Sequence, residues 1–102
     1  MDTALRALAE PRRREILDVL GSGELSAGEI ASRFAITRPA ISQHLAVLRE
    51  AGLVSERRAG ARRLYRARPE GAAGLRAWLD EFWRGSLEQL KVEAELEARR
   101  TR

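Results

Sequence analysis

The chain has 102 residues, enough for one domain, and 44% are hydrophobic with only 5% aromatic, so a core must rest on Leu, Ile, Val and Ala. It has no cysteine, which excludes disulfides, thiolate metal sites and thiol redox sensing. A formal net charge of +4 favours a polyanionic partner, and the chain has neither a run of about 18 apolar residues nor an apolar signal-peptide core, so a cytoplasmic protein is expected.

In chain order, Thr3 to Ala9 reads as a short helix with Leu5 and Leu8 as its apolar pair. Pro11 suits the first turn of a second helix, where a missing N–H costs nothing, and Ile16, Leu17 and Leu20 give that helix one apolar stripe. Gly21-Ser22-Gly23 ends it. "LSAGEI", Leu25 to Ile30, carries a start signal: Ser26 and Glu29 form a capping box, with Leu25 and Ile30 at the positions of a hydrophobic staple. This helix runs to about Phe34, and Ala35-Ile36-Thr37 is a tight connection. The next helix spans 38–50 and stops at Ala51-Gly52. Two short runs, Leu53 to Arg58 and Arg62 to Ala67, flank Ala59-Gly60-Ala61 and predict a hairpin over 53–67. Pro69-Glu70 opens a long helix with Leu75, Trp78, Leu79, Phe82, Leu87, Leu90 and Ala94 at spacings of mostly three and four. The fold class is mainly α with one small hairpin. A short helix, a turn and a second helix followed by a basic hairpin make a winged helix-turn-helix, occupying 1–102 as a single domain.

The helix over 38–50 is the informative one. At about 100° per residue, Ile41, Leu45 and Leu48 share one face. Pro39, Gln43 and Ala46 lie opposite, with Arg38 and Ser42 on one flank and His44 on the other, close to the core. The outer face is short-chained, able to hydrogen-bond and free of acid until Glu50. That suits entry into a DNA major groove, where Ser and Gln meet base edges and phosphates, while a helix N-terminus offers N–H groups to phosphate. The helix starts at either of two caps: threonine chemistry favours Thr37 and the restriction on pre-proline residues favours Arg38. His44, the only histidine, is a candidate DNA contact or a structural hydrogen-bonding group.

From Ser55 to Arg68 there are six arginines against one acid, Glu56, whereas Glu70 to Ala98 holds seven acids against Arg76, Arg84 and Lys91. One end should be basic and the other acidic. Arg57-Arg58 and Arg62-Arg63 flank the glycine turn and are candidates for phosphate or minor-groove contact. The candidate DNA-binding residues are therefore Thr37, Arg38, Pro39, Ser42, Gln43, His44, Ala46, Arg57, Arg58, Arg62 and Arg63.

"LAEPRRREILDVL", "ELSAGEIA", "TRPAISQHLAVLREAGLV" and "RRAGARRLYR" resemble, in order, the successive motifs of the ArsR/SmtB family of bacterial winged-helix repressors. The resemblance covers nearly the whole chain. It implies a homodimer on a palindromic operator in double-stranded DNA, repression by promoter occupancy, and release by an effector that the sequence does not identify. It also implies a dimer interface on the terminal helices, here Leu5, Leu8, Leu75, Trp78, Leu79, Phe82, Leu87 and Leu90. Many members carry a Cys-X-Cys metal motif where this chain has "ELSAGEI", with Ser26 and Gly28 in place of thiolates. Soft-metal sensing at that site is excluded chemically. The final helix has no histidine, which leaves acids alone for zinc, a poor donor set. No metal and no cofactor are expected. The alternatives to a sequence-specific repressor are an architectural nucleic-acid binder and a protein-interaction module. An enzyme is disfavoured by the lack of any clustered Ser, His and Asp set.

Overall fold

The computed structural model describes residues 1–100. Helix α1 covers Asp2–Leu8, α2 Pro11–Leu20, α3 Ala27–Phe34, α4 Arg38–Glu50 and α5 Ala73–Arg100. Three strands, β1 (Leu25–Ser26), β2 (Val54–Ala59) and β3 (Arg62–Ala67), form an antiparallel sheet in the order β1-β3-β2. The molecule measures 72 × 24 × 22 Å because α5 projects from the body.

The capping chemistry explains where the helices begin. Glu10 caps α2 with Pro11 at the first helical position. Ser26 Oγ accepts from the Glu29 N–H at 3.2 Å and Glu29 Oε1 accepts from the Ser26 N–H at 3.1 Å, completing the predicted box. Thr37, not Arg38, caps α4: its Oγ1 accepts from the Ala40 N–H at 3.4 Å, and Arg38 and Pro39 already lie in the first turn. The proline removes only an N–H that the first turn leaves unpaired, and the steric restriction on Arg38 is outweighed by the Thr37 cap and the burial of Ile41, Leu45 and Leu48. Between α3 and α4, Ala35 adopts a left-handed φ of 51°, the sole non-glycine with positive φ among the described residues.

The end of α4 is equally determined. Gly52, at φ 75°, lets the Leu53 N–H reach the Leu48 carbonyl at 2.9 Å and its own N–H reach that of Arg49 at 2.9 Å, a Schellman closure. The hairpin then starts at Val54, since Leu53 is still buried beside the closure. Gly60, at φ 66°, takes the first position of the two-residue turn.

One core joins the body. Ile16, Leu20, Ile30, Ile41, Leu45, Leu48, Leu53 and Val54 are all buried, with Ala4 and Ala7 closing it from α1. Thus α1 buries its alanines rather than the expected leucine pair; Leu8 packs half-buried against this core and Leu5 faces outward. Strand β1, too short to show a period in the sequence, pairs Leu25 with Tyr65 and Ser26 with Leu64, tying the start of α3 to the wing.

The expected single helix from Pro69 is instead a 3₁₀ turn, Pro69–Ala72, followed by α5. The turn brings Gly71 against the Gly52 backbone, where a Cβ on Gly71 would lie 1.9 Å from the Gly52 oxygen. Adding that methyl group forces the α4 closure and the root of α5 apart. Gly71→Ala should therefore lose about 2 kcal/mol or more in urea unfolding at fixed protein concentration. Gly74→Ala, with no atom within 4 Å of its Cβ, should be neutral or gain up to about 1 kcal/mol.

Candidate nucleic-acid interface

With Ile41, Leu45 and Leu48 turned inward, α4 exposes Arg38, Pro39, Ser42, Gln43 and Ala46 in its first turns. His44 is half-buried on the flank and makes no side-chain hydrogen bond among the described residues. Thr37 is exposed, but its hydroxyl is occupied as the cap. The sequence therefore placed the outward face correctly, and its first turns are free of acid.

The wing divides the arginines that the sequence had grouped. Opposed residues of an antiparallel pair share a face, so Glu56, Tyr65, Arg58 and Arg63 stand on one side and Arg57 and Arg62 on the other. The Glu56 side faces α4. A hollow of about 550 Å³ separates the wing from the starts of α3 and α4, lined by residues including Gly28, Arg38, Ser42, Arg62, Arg63 and Tyr65. A second, of about 230 Å³, continues it along α4 past Ala46, Arg49 and Glu56. Ser42, Arg63 and Tyr65 border both, so the two make one trough between helix and wing. Arg38 lies across Gly28, where a Cβ would sit in ordinary contact 4.0 Å from the guanidinium.

Two arginines of the other strand face are engaged internally, Arg62 doing so at the mouth of the hollow. Arg57 Nε and Nη2 donate to Glu24 Oε2 and Oε1 at 2.7 and 3.0 Å. Arg62 pairs with Glu29. Among the described residues Arg38, Arg58, Arg63 and Arg66 form no ion pair; the first three lie toward α4 and the wing tip, and Arg66 lies beside Arg57 on the other strand face.

Three residues outside the predicted set complete the trough. Arg49 Nη1 pairs with Glu56 Oε1 at 2.9 Å, and Tyr65 stands directly across the hairpin from Glu56. Burial first, then the Glu56 carboxylate, push the Tyr65 phenol up. This triad ties the last turns of α4 to the wing. The strand alternation that puts Tyr65 beside Arg63 was legible, whereas its alignment with Arg49 depends on the hairpin's packing.

The candidate dimer surface differs more. Helix α5 has no buried residue, and Trp78, Phe82, Leu87 and Leu90 are each at least half exposed. Leu79 is exposed and Leu75 half-buried at the root. Trp83, which the spacing argument passed over, is 59% exposed and meets Phe82 edge-on, while Trp78 stacks on Phe82 with centroids 5.5 Å apart. Trp83 stands four residues from both Leu79 and Leu87, so the same spacing could have found it.

Comparison with known proteins agrees with this geometry. Residues 10–56 match the bacterial regulatory protein, arsR family. The chain is 49% identical over 86 residues to the HTH-type transcriptional regulator Rv2034 of Mycobacterium tuberculosis, covering 84% of this chain and 80% of that one. It is 43% identical over 60 residues to the transcriptional repressor SdpR of Bacillus subtilis, covering 59% and 67%. Among solved structures, the homodimeric winged helix-turn-helix DNA-binding domain Mb0332 of Mycobacterium bovis superposes with a TM-score of 0.66 at 36% identity, over 79% of this chain and 75% of that one.

Charge around α3 makes stability sensitive to acid. The Arg57 hydrogen bonds hold the Glu24 carboxyl below the usual 4.5, and the Ser26 backbone N–H does the same for Glu29. Depressed carboxyls stabilise fully above the unfolded value and lose that contribution as pH falls through their folded values. The urea midpoint should be flat from about pH 7 to 5 and fall below about 4.5. Glu29→Gln should remove part of that fall. An unchanged acid limb would show that Glu29 carries none of it.

Proposed function

Because the chain belongs to the arsR family of bacterial regulatory proteins, and so is a DNA-binding transcriptional regulator rather than an enzyme, we propose that it acts in the bacterial cytoplasm as a homodimeric repressor of a palindromic operator. The observation that carries this reading is the acid-free outer face of α4 beside an arginine-lined trough. The first turns of α4 enter the major groove, and Ser42 and Gln43 meet base edges. The sugar-phosphate strand leaving that groove lies along the trough, where Arg38 and Arg63 neutralise it. Arg58 and the wing tip reach the neighbouring minor groove. Occupancy of the promoter then blocks transcription.

The second protomer comes from α5. A helix of 28 residues with no buried side chain, carrying an exposed Trp78-Phe82-Trp83 cluster, is incomplete alone. Leu5 on α1 adds to the same surface, since α1 packs beside the root of α5. A two-fold pair presents two copies of α4 to half-sites about 34 Å apart, which demands a palindrome. The homodimeric relative from Mycobacterium bovis supports this assembly, and the repressor from Bacillus subtilis supports the sign of regulation. Relief by a soft metal finds no support at the start of α3. The Ser26 hydroxyl is spent on the cap, Gly28 has no donor, and the chain lacks cysteine.

Binding to a selected palindrome should exceed binding to its scramble by about a thousandfold, measured by fluorescence anisotropy at physiological salt. Equal affinity would leave an architectural binder. Gln43→Ala should cost about 1–3 kcal/mol on the palindrome and relax preference at one base position. Arg63→Ala should weaken all duplexes evenly and reduce the salt slope by about 0.9.

Phe82→Glu should yield monomers by light scattering and abolish tight operator binding. A persisting dimer would move the interface off α5.

A further inference from the structure

Two acids from outside the basic wing pair with its arginines. Glu24 lies in the loop before β1, and Glu29 in the first turn of α3. Both reach the wing because β1 pairs with β3, so their arginine partners lie 33 residues away in sequence. Glu24 grips Arg57 through two hydrogen bonds. Glu29 holds Arg62 while the same carboxylate oxygen closes the capping box. The box anchors that carboxylate, so it is Arg62 that must move for the pair to open. Arg57 and Arg62 are each 58% exposed, so both pairs stand in reach of an external anion.

We propose that Glu24 and Glu29 are specificity-determining residues, internal counter-ions that a phosphate must displace from Arg57 and Arg62. This rests on the reading of the wing as a DNA-binding element. Sequence-independent affinity comes from neutralised phosphates. A loosely docked complex on random DNA presents phosphates in no fixed place, and the carboxylates, already in bonding geometry, keep their arginines. On the operator, docking of α4 fixes the wing against the backbone and sets phosphates where they can take over. The outer face of α4 has no acid in its first turns, so base contacts are not taxed. The acids thus subtract from wrong complexes more than from the right one, which is how repulsive elements create discrimination.

The test compares wild type with Glu24→Gln/Glu29→Gln, using the best duplex selected from a randomised library and a scramble of it. Glutamine at position 29 can still accept from the Ser26 N–H, so the cap survives, and circular dichroism checks the fold. Glu88→Gln on α5 controls for net charge. The double variant should bind the scramble about three- to tenfold tighter, with a salt slope steeper by about one to two, and gain less on the selected duplex. Equal gains on both duplexes, a gain no larger than that of Glu88→Gln, or weaker binding would each overturn the proposal. Wild-type protein that binds neither duplex at low salt would instead overturn the DNA-binding reading.

Discussion

Ile41, Leu45 and Leu48 sit at 0–1% exposure in one cluster with residues of α2, α3 and β2, and that burial fixes the rotation of α4 about its axis. A helix that turned by one residue, about 100°, would bring Ser42 into the core and lose the apolar contacts of the stripe. The identity of the presented face is therefore a consequence of packing. The caps add the axial coordinate: Thr37 sets where α4 begins and the Gly52 closure where it ends. The rest of the body holds this one element in place.

Charge is organised by the same scaffold. The run Pro11-Arg12-Arg13-Arg14 looks basic in sequence, yet its guanidiniums serve the fold. Arg13 donates to the Ala7 and Arg6 carbonyls and Arg14 to that of Leu8, closing the end of α1, while Arg12 lies over the Phe34 ring. The wing arginines divide similarly between internal partners and an open face. A count of basic residues therefore overstates the surface left for a nucleic acid, and the division depends on strand alternation and on acids brought in by β1.

Most of the architecture was legible because its signals are local. A capping box, a proline in the first turn and glycine punctuation act within a few residues, and they placed four of the five helices to within a residue or two. The outward face of α4 was legible because helical periodicity needs no partner. What escaped depends on contacts distant in sequence. Strand β1 has two residues and exists only because β3 pairs with it. The Arg49–Glu56–Tyr65 triad and the ion pairs of Arg57 and Arg62 require the folded hairpin. The 3₁₀ turn before α5 is set by where Gly71 meets Gly52, which no periodicity encodes.

That meeting of two glycine backbones also sets the corner of the molecule. With the Arg68 N–H on the Leu53 carbonyl at 2.7 Å and no room for even a methyl group between Gly52 and Gly71, the end of α4 and the root of α5 form a welded joint. The body and the long helix thus meet at a corner made of backbone alone. The direction in which α5 leaves the body is thereby tied to the closure of α4 rather than to any side chain that could be exchanged.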